Sequence, residues 1–250
     1  MKAMILAAGL GTRMRPLTLE TPKPLLCVAD KPLIVWHIEA LKRAGIQDIV
    51  INCAWLADKL MTALGDGSQF GVSIYWSLEV EALETAGGII QALPLLGNQP
   101  FVLVNGDVWT RYDYIHLSSA QLSSTQLSGH ALHDDLAHLV LVDNPPQHPA
   151  GDFVLASNPQ GGHVYNDTEQ AMQHAQPENT LEKLTFSGLS VLSPRLFDGL
   201  PQGKRPLAPL LRQAMQQGLV SGTKMTQAWV DVGTPERLNQ LDSQIRQHLL

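Results

Sequence analysis

The sequence predicts an α/β fold with a doubly wound, mostly parallel but mixed sheet, and three observations predict it. Short apolar runs, Asp48–Cys53 (DIVINC) and Phe101–Val104 (FVLV), read as strands buried on both faces. Segments of helical periodicity separate them, and a parallel neighbour can be reached only through such a crossover. The run Met4–Ala8 leads straight into a glycine loop, Gly9-Leu10-Gly11. That is a Rossmann-like strand-to-loop arrangement, and ligands of such sheets sit at the carboxyl ends of the strands. The 250 residues, 44% of them hydrophobic, suit one domain, 1–250, with halves 1–110 and 111–250 and no linker between them.

The elements follow in order. Asp30 is expected to cap a helix starting near Pro32, with Leu33, Trp36 and Leu41 on its buried side and Gly45 ending it. Leu56–Leu64 reads as a short helix and Val72–Ser77 as a strand. Ala86–Leu93 reads as a helix opened by the pair Gly87-Gly88, and Phe101–Val104 runs into Asn105-Gly106-Asp107. The stretch from His116 to His138 loses periodicity. Its two five-residue copies (LSSAQ, LSSTQ) are too few for a solenoid, and it reads as a surface insertion. His130, His133 and His138 beside Asp134 and Asp135 have no standard zinc spacing, so a solvated loop is expected there. Leu139–Val142 and Asp152–Leu155 read as strands, and the Gly-, Gln- and Asn-rich Asn158–Asn179 as a polar loop. Leu184–Leu192 is a strand with Gly188 inside, where a ligand or backbone can come close. Leu207–Gln217 is a helix. Trp229–Gly233 ends a last strand on Asp231, and Thr234 with Pro235 opens a terminal helix.

The chemistry concentrates at the start. Glycines at positions 9 and 11 let backbone N–H groups turn onto an anion. Arg13 and Arg15 add guanidinium forks, and Lys23 sits on a stiff segment between Pro22 and Pro24. Residues 1–29 hold four basic side chains (Lys2, Arg13, Arg15, Lys23) and one acid, Glu20, in a chain of net charge −6. This local surplus marks a polyphosphate site. The third glycine of the dinucleotide fingerprint is replaced by Met14, and no G-K-S/T follows, so neither familiar glycine loop fits. The acidic balance argues against nucleic acid or an anionic membrane as partner, and no apolar run approaches the ~18 residues of a membrane span. No signal peptide is expected at the start. Cys27 and Cys53 lack C-x-x-C spacing, so reduced, buried thiols in the cytoplasm are expected.

Ala7-Ala8-Gly9-Leu10-Gly11-Thr12-Arg13, Arg15-Pro16-Leu17-Thr18 and Pro22-Lys23-Pro24 closely resemble the signature of the sugar-1-phosphate nucleotidylyltransferases, whose fold is of the nucleotide-diphospho-sugar transferase type. Glu84–Gly88, Val104–Asp107 and Val230–Thr234 resemble that family's second glycine loop, its L-V-x-x-G-D segment and its D-x-G-T segment. The resemblance covers nearly the whole chain. It implies that a sugar-phosphate oxygen attacks the α-phosphorus of a nucleoside triphosphate. Residues 1–110 would hold the nucleotide and residues 111–250 the sugar.

By the same resemblance, Ala8, Gly9, Gly11, Thr12, Arg13 and Lys23 cradle the triphosphate, with Arg13 and Lys23 catalytic, and Gly87 and Gly88 face the nucleotide. Asp107 and Asp231 would hold Mg²⁺, a hard cation suited to carboxylate and phosphate oxygens. Arg15 is read as a brace of the loop. Asn105 and Asp152, by placement and resemblance, would contact the sugar. The family's Glu-Lys-Pro is absent, because Glu182-Lys183 is followed by Leu184. Other base and sugar pairs, a non-catalytic nucleotide-sugar binder, and a choline-phosphate cytidylyltransferase using Trp109 for the ammonium group are the competing readings.

Overall fold

The computed structural model describes residues 1–117, 135–158 and 161–250. Its core is one nine-stranded mixed sheet. The strands are β1 (Ala3–Leu6), β4 (Asp48–Cys53), β5 (Ser73–Leu78), β6 (Phe101–Asn105), β8 (Ala137–Val142), β9 (Phe153–Asn158), β10 (Gly161–Tyr165), β11 (Thr180–Leu192) and β12 (Val220–Lys224). Two small ribbons flank it: β2 (Cys27–Val28) with β3 (Lys31–Pro32), and β7 (Val108–Thr110) with β13 (Trp229–Asp231). The helices are α1 (Leu33–Arg43), α2 (Ala57–Leu64), α3 (Glu84–Leu96), α4 (Thr168–His174), α5 (Ala208–Gln216) and α6 (Pro235–Arg246). None of the described helices is long and apolar enough to cross a membrane.

In sheet order β5-β4-β1-β6 all pairs are parallel, as crossover connections require. The carboxyl ends of these four strands therefore share one edge. From β6 onward the pairing turns antiparallel through the long strand β11, while β8 and β12 remain parallel. The first half of β11 pairs with β9 and the second half with β8. The far half of the sheet thus curls back on itself.

Burial follows the apolar runs. Ile49, Val50, Ile51, Val102, Leu103 and Val104 are fully buried because helices cover both faces there. On α1 the buried stripe is Leu33, Ile34, Val35, Ile38 and Leu41, each contributing about 1.5–3 kcal/mol of gross burial. His37, on the same helix, lies between the Tyr114 hydroxyl (2.7 Å) and the Val108 carbonyl (2.8 Å). Burial pushes its pKa down to about 4, so the ring is neutral and structural.

Several sequence expectations need correction. Asp30 does not cap α1. It sits in the β2–β3 turn with φ +62° and forms a two-pronged pair with Arg246. The Asn158–Asn179 stretch is not one long loop. Its described part contains β10 and α4, the latter capped by the Asp167 carboxylate, which accepts from the Gln170 N–H. His138 belongs to a strand rather than an insertion. It is buried in β8 against Ser221 (3.0 Å) and Thr223 (3.3 Å). Residues 118–134 of that stretch, with His130, His133 and Asp134, lie outside the described residues. Cys27 is exposed, whereas Cys53 is buried with its thiol pushed up to about 11 by burial. Thr234 and Pro235 open α6 as expected, the threonine oxygen accepting from the Arg237 N–H.

Candidate active site

The shared strand edge builds the site. Ala7, Ala8 and Gly9 follow β1, Asn105, Gly106 and Asp107 end or follow β6, Asn52 is the last but one residue of β4, and Glu79 follows β5. All of these line one cavity of about 230 Å³, together with Lys23, Glu84 and Thr85. A second cavity of about 470 Å³ shares Glu84, Thr85 and Asn105 with the first, so the two form one cleft with two lobes. The larger lobe is finished by Asp152 and Phe153 at the start of β9, Phe186 on β11, and Leu207, Leu211 and Arg212 around α5.

Lys23 and Asp107 form the electrostatic centre. The 3-10 turn Lys23–Leu25, framed by prolines, carries Lys23 inward until its ammonium donates to Asp107 Oδ2 at 2.7 Å. The lysine side chain is only 10% exposed and the aspartate 38%, so the pair opens on the cleft through the carboxylate. A bare buried ammonium would be costly, and Asp107 removes that cost.

The loop after β1 is held from behind. The Ala7 N–H donates to Asn52 Oδ1 (2.8 Å), and Asn52 Nδ2 donates to Glu79 Oε1 (2.6 Å). Glu79 Oε2 accepts from the Leu83 N–H (2.9 Å), one residue before α3. One buried acid thereby fixes the glycine loop and the start of α3 together. Gly11 has φ +60°, and its carbonyl accepts from the Thr18 hydroxyl at 2.7 Å. A Cβ there would lie 2.9 Å from Thr18 Cγ2, so glycine is required on both counts.

The structure distributes the predicted residues unevenly. Ala8, Gly9, Lys23, Asn105 and Asp107 line the smaller lobe, and Asn105 and Asp152 line the larger one. Gly11, Thr12 and Arg13 sit farther along the loop, outside the cleft lining, with Thr12 and Arg13 exposed. Arg15 is exposed too, and among the described residues it braces nothing. Gly87 and Gly88 lie inside α3 rather than at its opening. Their lack of a side chain serves packing. A Cβ on Gly87 would strike the Gly203 carbonyl, and one on Gly88 would come within 2.6 Å of Glu79 Oε1. The Gly87 N–H donates to the Arg205 carbonyl at 3.1 Å. From this helix, Glu84 and Thr85 reach the cleft instead.

Asp231 ends β13, which pairs with β7 in the separate ribbon, so it is not on the edge of the main sheet. The Val232 N–H donates to the Asp107 carbonyl (2.9 Å), which brings the two acids' backbones together. The Asp231 carboxylate accepts from Arg237 Nη1 at 2.6 Å. Asp152 accepts from the Phe186 N–H (2.9 Å) and meets His148 Nε2 at 3.0 Å. Gly188 has φ +83°, in the β-bulge between Phe186 and Leu189, and the group that approaches it is the Asn105 side chain. Trp109 is buried beneath α6 and offers no surface for a quaternary ammonium.

Sequence reading missed Asn52, Glu79 and Arg212, and took Thr85 only as part of the segment Glu84–Gly88. A polar residue inside the apolar run DIVINC, one place before its end, was the available signal for Asn52. Glu79 and Arg212 carry none, because only the fold brings them to the cleft.

A parallel-sheet edge with a glycine loop, a buried lysine and facing acids defines a phosphate-handling α/β protein. Residues 2–131 match the Nucleotidyl transferase family, and the chain belongs to that family. It is 51% identical over 243 residues to the N-acetylmuramate alpha-1-phosphate uridylyltransferase of Neisseria meningitidis, covering 96% of each chain. It is 30% identical over 241 residues to the protein of that name from Caulobacter vibrioides, covering 94% of this chain and 92% of that one. Its fold matches a Bacillus anthracis structure assigned as a glucose-1-phosphate thymidylyltransferase, with a TM-score of 0.77 at 21% identity, over 98% of this chain and 95% of that one.

Proposed function

We propose that the chain transfers a uridylyl group from UTP to N-acetylmuramate 1-phosphate, giving UDP-N-acetylmuramate and pyrophosphate, as a step of peptidoglycan recycling in the cytoplasm. The observation that carries the chemistry is the Lys23–Asp107 pair in a cleft whose second lobe opens beside it. The substrate pair follows the name of the Neisseria relative. Leu103–Trp109, His138–Pro145, Gly151–Phe153, Leu184–Leu192 and Leu207–Met215 also resemble that enzyme.

In this reading a phosphate oxygen of the sugar 1-phosphate bonds to the α-phosphorus of UTP. The bond from that phosphorus to the bridging oxygen breaks, and pyrophosphate leaves with the electron pair. Both reactants are anions, so positioning and charge neutralisation dominate. The glycine loop with Arg13 takes the leaving phosphates. Lys23 takes the α-phosphate or the attacking phosphate. Asn105 and Asp152 orient the sugar, the first through a carboxamide that makes no hydrogen bond with the described residues and the second through lone pairs left over from Phe186 and His148. Residues 1–110 serve the nucleotide and residues 111–250 the sugar.

Asp107 and Asp231 would hold Mg²⁺. Asp107 opens on the cleft, the backbones of the two acids are joined, and Mg²⁺ commonly takes one or two carboxylates plus substrate phosphates. Bound there, the ion would neutralise developing charge on the phosphates.

Kinetics of Asn105→Ala and Asp152→Asn test the division of the cleft. Each is expected to raise the KM for the sugar phosphate by at least about tenfold while moving the KM for UTP little, as loss of a substrate hydrogen bond does. Equal effects on both KM values would contradict it.

A further inference from the structure

The larger lobe has a chemical asymmetry that the transfer reaction alone does not use. Phe153, Phe186, Leu207 and Leu211 give it apolar walls. Its acids are already engaged: Asp152 with His148 and the Phe186 N–H, and Glu84 with Lys204 at 3.9 Å. Among the described residues Arg212 is the one cation lining it, and its guanidinium makes no hydrogen bond or ion pair with them. It stands on α5, one turn after Ala208, which lines the same lobe. The helix is anchored beneath it by buried Leu211, Ala214 and Met215.

A free guanidinium beside apolar walls is suited to a carboxylate, which it grips through two parallel N–H donors. The reacting phosphates belong with Lys23 and Asp107 in the other lobe. An anion at Arg212 is therefore a second one, carried on the sugar ring. N-acetylmuramate has such a group, the carboxylate of its lactyl ether, and N-acetylglucosamine differs from it only in lacking that ether. We infer that Arg212 reads this lactyl carboxylate and selects carboxylated sugar 1-phosphates over neutral ones. The inference rests on the reading given under Proposed function.

The test compares kcat/KM, with UTP, for N-acetylmuramate 1-phosphate and for its carboxamide, in which the lactyl charge is removed and the phosphate kept. The wild type is expected to favour the acid by about 10–100-fold, the range for a hydrogen-bonded charge. Arg212→Gln is expected to lose that preference, and Arg212→Lys to keep part of it. Arg212 is exposed, so these variants should fold. A preference retained in Arg212→Gln overturns the inference. So does an equal fall for both substrates, which would assign Arg212 to the shared phosphate or to the fold. A wild type without preference also overturns it. A wild type that turns over neither compound, while accepting another sugar 1-phosphate, removes the proposed substrate itself.

Discussion

Lys23→Ala is expected to lower turnover on the order of 10²–10³-fold, the usual effect of deleting one preorganised donor aimed at developing charge. The geometry gives the reason. The ammonium is almost wholly withdrawn from water, framed by prolines and held 2.7 Å from Asp107. It therefore needs no reorganisation when a phosphate arrives. Its deletion also leaves Asp107 as an uncompensated negative charge facing two anionic substrates. Arg13→Ala carries the same expected magnitude, but by another route. Its guanidinium is exposed on the loop and outside the cleft lining, so in the proposed mechanism it would meet the leaving phosphates only once triphosphate is bound. Single-turnover measurements at saturating UTP separate these effects from weaker binding. Near-normal turnover in both variants would remove them from the mechanism.

Asp107→Asn is expected to abolish Mg²⁺-stimulated activity. The amide keeps the size of the carboxylate and can still accept from Lys23, so the cleft should persist. It lacks the charge that a divalent ion requires. The contrast with Lys23→Ala is diagnostic: the lysine variant should remain responsive to Mg²⁺ at its reduced rate, and the aspartate variant should not. A magnesium titration of residual pyrophosphate release checks it. Full stimulation of Asp107→Asn would mean that the metal is held elsewhere.

In the parallel half β1, β4 and β6 were legible because they are buried on both faces and so appear as apolar runs, whereas the edge strand β5 is exposed at alternate positions. DIVINC is β4 without adjustment. The curled half was less legible for the opposite reason. β10 (GGHVY) and β12 (VSGTK) are glycine-containing and half polar, and their backbones pair although few side chains advertise it. The β2–β3 ribbon turns through Ala29 and Asp30, both with positive φ, where a sequence reading looks for glycine.

The site divides the same way. Lys23, Asn105 and Asp107 were visible because glycine, proline and strand ends surround them. Glu79 and Arg212 reach the cleft from β5 and α5, far apart in the chain, and look like ordinary surface charges until the sheet brings them together. Asp231 was singled out by its D-x-G-T surroundings, but its ion-pair partner Arg237, six residues on, was not.

Pyrophosphate release in Mg²⁺ is the most direct test of the central claim, measured across UTP, GTP and dTTP against N-acetylmuramate, mannose and glucose 1-phosphates. Release with UTP and N-acetylmuramate 1-phosphate is expected far above every other pair. Preferential release with GTP and mannose 1-phosphate, or with dTTP and glucose 1-phosphate, would contradict the assigned substrates. Silence throughout, with nucleotide still bound, would contradict catalysis itself.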